Sequence, residues 1–229
     1  MKRWNLFYKL IFFSVISQFI FSQKQFKPEK LKNPKIILDG KISTDEWINA
    51  IQVELNFEIN PGNNTPAKRK TIGFISYSDT DLYVAIHAFD NPKNVRASVR
   101  SRDDIKIYMQ DDVINVSFDT YADGRNNYIL LSNAFGSQLD ARAINALTDD
   151  ERYDSSFNMD FETAGSIVSD GYQVEFKIPF SSLPFPNGKD QKWHFNIGRK
   201  YFDENNVEIQ VQSHTLDRNN PCEVCQTTQ

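Results

Sequence analysis

The chain reads as an all-β protein, an antiparallel immunoglobulin-like or jelly-roll-type β-sandwich with little helix. Three observations predict this: apolar residues recur with period two, turn-forming clusters separate those runs, and helix signals are confined to single turns.

The chain opens on Lys2 and Arg3, followed by an apolar run from Leu10 to Phe21 broken only by Ser14, Ser17 and Gln18. That order is the one of a secretory signal peptide, residues 1–22, cut after Ser22. The run falls short of the ~20 apolar residues of a comfortable membrane span, so an uncleaved anchor is the lesser alternative. Residues 23–33 are polar and Lys-rich and read as a tether; the sandwich occupies residues 34–216, and a Cys-containing tail covers 217–229.

Within the sandwich, Val53, Leu55, Phe57 and Ile59 alternate with polar residues, as do Ile114, Val116 and Phe118. The same holds for Tyr172, Val174, Phe176 and Ile178, for Trp193, Phe195 and Ile197, and for Val207, Ile209 and Val211. Each run predicts a strand with one face in a core. Leu82 to Phe89 is apolar on both faces apart from His87, which predicts a central strand covered on both sides. Turns are expected at 60–64, 78–81, 123–124, 170–171 and 186–188, where Asn, Asp, Gly, Pro and Ser cluster. Ser43 or Thr44 is placed to cap one helical turn through Trp47, and Ser181 to Leu183 forms another after Pro179.

The net charge of −4, more acidic still once Lys2, Arg3 and Lys9 leave with the signal peptide, offers no electrostatic footprint for nucleic acid. Lys68, Arg69 and Lys70 are one short basic run, read as a solvated strand entrance. Nucleophilic hydrolysis finds no support either: the histidines are His87, His194 and His214, and there is no G-x-S-x-G elbow. A glycosidase needs two carboxylates about 5–5.5 Å or about 6.5–9.5 Å apart. None of the acidic residues sits in a local setting that suggests a raised pKa. Cys222 and Cys225 form a lone C-x-x-C. A zinc ribbon needs a second pair, so a local disulfide or a reducible pair is expected in an oxidising compartment.

Several spaced motifs carry a resemblance. Leu38-Asp39-Gly40-Lys41-Ile42 followed by Asp45-Glu46-Trp47 and Ala50 resembles the opening of the family 9-like carbohydrate-binding modules. Asp111-Asp112 before the strand at Ile114, Gly171-Tyr172 through Glu175 to Pro179, and Trp193 with Asn196 and Arg199 resemble the family's central and closing parts. The resemblance covers roughly Pro34 to Leu216. More narrowly, the chain resembles the N-terminal part of exported Bacteroidetes-type proteins, in which such a module precedes a β-barrel region of unassigned function. No such region follows Cys225, so the expectation is a short family member or a truncated reading frame, with an outer-membrane β-barrel protein as a separate partner. A last strand without its partner would leave an exposed edge and a tendency to self-associate.

The resemblance implies a site for polysaccharide or oligosaccharide in which aromatic rings stack on the sugar and polar groups hold its hydroxyls. Well-studied members use a Trp pair. Here the mature chain keeps only Trp47 and Trp193, both at positions that look structural. The available substitutes are Tyr77, Tyr121, Tyr128 and Tyr153. Tyr121 with Tyr128 is the expected platform, with Arg125 and Asn126 as hydroxyl partners, against the plainer reading of a polar hairpin. No cofactor is required, but a structural calcium at Asp119 or Asp123 is a further expectation, with Asp103, Asp104, Asp111 and Asp112 as more oxygen donors or simply a charged loop edge. Related folds hold haem through Met and His; for Met109, Met159 and His87 a satisfied strand histidine is the better reading.

The function expected from all this is a non-catalytic carbohydrate-binding module of an exported protein, periplasmic, outer-membrane-associated or secreted. The alternative is a structural appendage of an outer-membrane β-barrel system without sugar affinity. A third reading is an O-glycosyl hydrolase or its accessory, with any hydrolase activity belonging to an associated catalytic domain.

Overall fold

The computed structural model describes residues 25–32, 34–145, 151–220 and 226. The expected signal peptide and the Cys222–Cys225 pair lie outside the described residues.

A helical turn α1 (Thr44–Trp47) leads into β1 (Ile51–Glu54), β2 (Phe57–Asn60), β3 (Thr65–Pro66), β4 (Thr71–Tyr77) and β5 (Asp81–Phe89). After a 3-10 turn at Pro92–Asn94 come α2 (Lys106–Gln110), β6 (Val113–Asp119), β7 (Asn126–Asn133), β8 (Gln138–Ile144) and β9 (Tyr153–Asp154). The chain closes with β10 (Glu162–Val168), β11 (Gly171–Pro179), a 3-10 turn at Phe180–Ser182, β12 (His194–Phe202) and β13 (Glu208–Gln212).

The strands form two antiparallel sheets, a five-stranded one in the order β1-β4-β5-β11-β10 and an eight-stranded one in the order β3-β2-β13-β12-β6-β7-β8-β9. Val84 and Ile86 of β5 and Val174, Phe176 and Ile178 of β11 meet Ile114 and Val116 of β6, Leu130 of β7 and Ile197 of β12, all of them fully buried. This is the sandwich that the period-two pattern predicts.

Why β5 is apolar on both faces is now plain. Leu82, Val84, Ile86 and Ala88 face the core between the sheets, while Tyr83 and Ala85 face outward beneath Trp47, Leu31, Ile36 and Ile42. The N-terminal segment therefore forms a third layer over the five-stranded sheet. Its latch is Glu175 of β11, fully buried, which accepts from the indole Nε1 of Trp47 (3.2 Å) and from the backbone N–H of Asp39 (3.1 Å) and Gly40 (2.9 Å).

Three expectations change. The alternation from Val53 to Ile59 is not one strand: the chain crosses between the sheets at Leu55 and Asn56, so β1 and β2 belong to different layers. Period two survives because both layers wrap the same core. Arg69 is not solvated; it pairs with Asp90 (2.7 Å) and lies over the ring of Tyr201 (4.5 Å), while Lys68 stays exposed. The last strand, β13, lies between β12 and β2 and is not an edge.

Candidate functional site

In an antiparallel sheet, residues directly opposite each other share a face. The core takes Ile114, Val116 and Phe118 of β6 and Ile197 of β12, so the intervening residues line the far face of the eight-stranded sheet. The register places Asn115 beside Leu131 and Gly198, Ser117 beside Ile129 and Asn196, Gly198 beside Gln212, and Lys200 beside Gln210. Asn127 lies beside Ala143, and Ala143 beside Tyr153. Two chemistries divide this face. Around Val113, Leu131, Ile129 and Leu139 it is apolar, and the fully buried Ile107 of α2 covers that part. The remainder is a floor of amides: Asn115, Asn127, Asn196, Gln210 and Gln212.

The short helix α2 exists to place its residues on this face. Asp104 Oδ1 accepts from the Lys106 N–H (3.0 Å) at its first turn, and Ile107 pegs it to the sheet. Tyr108, the next residue, projects over β12 and β13. Lys200 donates to the Tyr108 carbonyl and holds its ammonium 5.0 Å from the Tyr108 ring centre and 4.6 Å from that of Phe202. The Tyr108 phenol is pushed up by burial and by the nearby Glu208 and Tyr153, and Gln210 hydrogen-bonds it. Tyr108 is 41% exposed and Tyr153, on the edge strand β9, is 55% exposed. The two tyrosines thus lie within electrostatic reach of each other.

The floor is incompletely satisfied. Asn196 donates to Gln212 Oε1 (3.3 Å), Ser213 donates to Asn196 Oδ1 (3.3 Å), and Asn127 donates to Ser117 Oγ (3.4 Å). Gln212 Nε2 and Asn127 Oδ1 have no hydrogen-bond partner among the described residues although both atoms are buried. One is a donor and the other an acceptor, and a buried polar atom left unpaired costs about 1–3 kcal/mol. A hydroxyl, which donates and accepts at one atom, satisfies either.

The expected platform at the β6–β7 turn is only partly assembled. Tyr121 is 49% exposed and the Arg125 side chain is open to solvent, with Asn126 half-buried at the start of β7. Tyr128 is a correction: it is 7% exposed, opposite Phe118 in the register, with its ring 5.5 Å from Phe157 in the core. Period two along β7 turns it inward, away from Tyr121.

Asp119 spends one oxygen on the Tyr121 N–H (3.2 Å) and the other on the Gly124 N–H (2.7 Å), and Asp123 accepts from the Arg125 N–H (3.0 Å). Both carboxylates serve the turn rather than converge on a cation. Among the described residues, no group of three or more His, Cys, Asp or Glu is placed to hold a metal ion.

Asp111 and Asp112 are buried, not a charged loop edge. Asp111 takes Arg100 (2.9 Å) and Asn133 (2.8 Å); Asp112 accepts from the Arg96 and Phe202 N–H groups (3.3 Å each) and is pushed up to about 6 by burial. Glu175 is likewise raised by burial, to about 7. These shifts were invisible in sequence because distant strands cause them. Glu175 lies in β11 of the five-stranded sheet and Asp112 just before β6 of the eight-stranded one, each held by N–H donors.

No protein-family model matches the chain, and no curated protein matches its sequence. Solved structures do match in shape. A family 9 carbohydrate-binding module from Caldicellulosiruptor kristjanssonii, in complex with cellotriose, is 18% identical and superposes with a TM-score of 0.51, covering 86% of this chain and 87% of that one. A candidate carbohydrate-binding protein from Bacteroides uniformis is 14% identical with a TM-score of 0.59, covering 86% of this chain and 93% of that one. At these identities the likeness concerns the fold, and the fold of this chain is that of the family 9-like carbohydrate-binding modules.

Proposed function

We propose that this chain is a non-catalytic carbohydrate-binding module of an exported protein, and that its glycan lies on the far face of the eight-stranded sheet between Tyr108 and Tyr153. The observation that carries this reading is the amide floor, whose Asn115, Asn196 and Gln210 are half-buried, on a face that also carries the half-exposed Tyr108 and Tyr153. Rings offer faces to the C–H side of a pyranose, and amides match hydroxyls in both senses. The superposition with a module bound to cellotriose adds support at the level of fold. Lys200 pairs with Glu208 at 4.0 Å, which suits the floor to uncharged sugars.

Calorimetric titration with cello-, xylo- and manno-oligosaccharides tests this. Binding is expected in the micromolar-to-millimolar range, about −8 to −4 kcal/mol. Tyr108→Ala and Asn127→Ala are each expected to weaken it by about 1–3 kcal/mol, whereas Tyr121→Ala leaves it unchanged. Loss with Tyr121→Ala and not with Tyr108→Ala would move the site to the β6–β7 turn. No heat with any sugar would contradict the reading and favour a β-barrel partner instead.

A further inference from the structure

Among the described residues, the five-stranded sheet ends on β10, a seven-residue strand with β11 on one side and no strand on the other. The remaining sheet edges are short: β1 has four residues, β3 and β9 two each. Ser169 and Asp170 form a two-residue turn between β10 and β11, with Val168 opposite Gly171. Residues flanking such a turn bond each other, so the backbone groups of Val168, Ser166, Ala164 and Glu162 point to β11. Those of Ile167, Gly165 and Thr163 point outward, and no backbone partner meets them among the described residues.

Exposed edges are ordinarily blunted by Lys, Pro, bulges or a covering element. The β10 sequence Glu-Thr-Ala-Gly-Ser-Ile-Val has no Lys or Pro, and its one charge, Glu162, is neutralised by Lys177 at 2.8 Å. Its pairing with β11 runs without a register shift. Backbone, not side chain, closes both faces of the strand. Gly40 and Gly136, at φ +79° and +76°, pack on Gly165 and its neighbours so closely that a Cβ at either would lie 2.7 or 3.3 Å from β10 backbone. Ser166 Oγ donates to the Gly40 carbonyl and Thr163 Oγ1 to that of Gly136, which holds the strand between the two loops. Beside this edge Phe135 is 45% and Ile167 39% exposed.

We propose that β10 pairs with β10 of a second copy of this chain, antiparallel about Gly165, to make one sheet continuous across two molecules. In that register Thr163 faces Ile167, Gly165 faces Gly165, and Glu162 faces Val168. Every outward N–H and C=O finds a partner, no like charges oppose, and the axis carries no side chain. The register also brings Ile167 of each copy toward the other's exposed apolar strip near Phe135. The pairing leaves the far face of the eight-stranded sheet open in both copies, so it stands independently of sugar binding.

Sedimentation velocity of the chain without its signal peptide, over a concentration series, tests this. A reversible monomer–dimer equilibrium is expected, and Ile167→Lys, a solvent-edge change that leaves the β11 ladder intact, weakens it at least about tenfold. Hydrogen exchange adds a second readout: the Thr163, Gly165 and Ile167 amides gain protection with concentration in the parent chain and not in Ile167→Lys. A monomer throughout the series overturns the proposal. So does a dimer that Ile167→Lys leaves intact and in which those three amides exchange freely.

Discussion

Arg199→Leu is expected to lower the unfolding free energy by about 3–5 kcal/mol, the cost of removing one partner from a buried ionic network. The guanidinium of Arg199 is fully buried in the core. It donates to Asp90 Oδ2 (2.5 Å), to the Phe89 carbonyl (3.1 Å) and to Thr71 Oγ1 (3.3 Å), and lies 4.5 Å from the Tyr201 ring centre and 5.4 Å from that of Tyr172. It thereby ties β12 in one sheet to β4 and β5 in the other. Leucine fills part of the space but leaves Asp90 with Arg69 as its cation and the Phe89 carbonyl without this donor. Arg199→Lys also loses the planar fork and is expected to recover little. Chemical denaturation measures both; a loss below about 1 kcal/mol, the scale of an exposed pair, would contradict this account of the core.

The second large effect is one of pH. Burial raises Glu175 to about 7 and Asp112 to about 6, both above the ordinary range of an unfolded carboxylate. The folded chain therefore holds these protons more tightly than the unfolded chain does. Their stabilising contribution is fully present below the unfolded pKa of about 4 and is lost as pH rises through 6 and 7. At about 1.4 kcal/mol per pH unit of separation, Glu175 alone implies a loss on the order of 3 kcal/mol between pH 5 and pH 8. Burial lowers His214 to about 4, which works the other way as pH falls toward 5, so the Glu175 contribution is read as the difference in thermal midpoint between the parent chain and Glu175→Gln, larger in favour of the parent at pH 5 than at pH 8. Glu175→Gln keeps an acceptor for the Asp39 and Gly40 N–H groups and cannot ionise, so it flattens the profile across that window. A difference between parent and Glu175→Gln that does not shrink from pH 5 to pH 8 would contradict the assignment.

Much of the sandwich was legible because period two is a local signal. The strands now seen at β5, β6, β11, β12 and β13 each alternate, or run apolar, over enough residues to announce a core face. The elements that escaped notice have other patterns. The β7 strand carries Tyr128, Ile129, Leu130 and Leu131 in succession, since α2 covers its far face as well as the core its near one. The β10 strand has small residues where two glycine loops press on it, so it shows no hydrophobic alternation. Helix α2 is five residues long, too short to establish a helical period.

The candidate site was less legible for a related reason. Sequence reasoning sought tyrosines beside polar residues along the chain and so settled on Tyr121, Tyr128, Arg125 and Asn126. The amide floor is drawn instead from β6, β7, β12 and β13, strands adjacent only through register. Tyr153 was among the candidate aromatics, but Tyr108 was not. The residues just before Asp111-Asp112 were the available signal, since an exposed aromatic there stands beside a strand start that the alternation from Ile114 already marks.

The most direct test of the central claim is an amide chemical-shift map of the 15N-labelled chain titrated with cellotriose. The account predicts that the largest changes fall on Asn115, Asn127, Gln210 and Gln212 side-chain amides and on the backbone around Tyr108 and Tyr153. Saturable changes confined to the turn at Tyr121 to Asn126, or none at all at millimolar sugar, would contradict it.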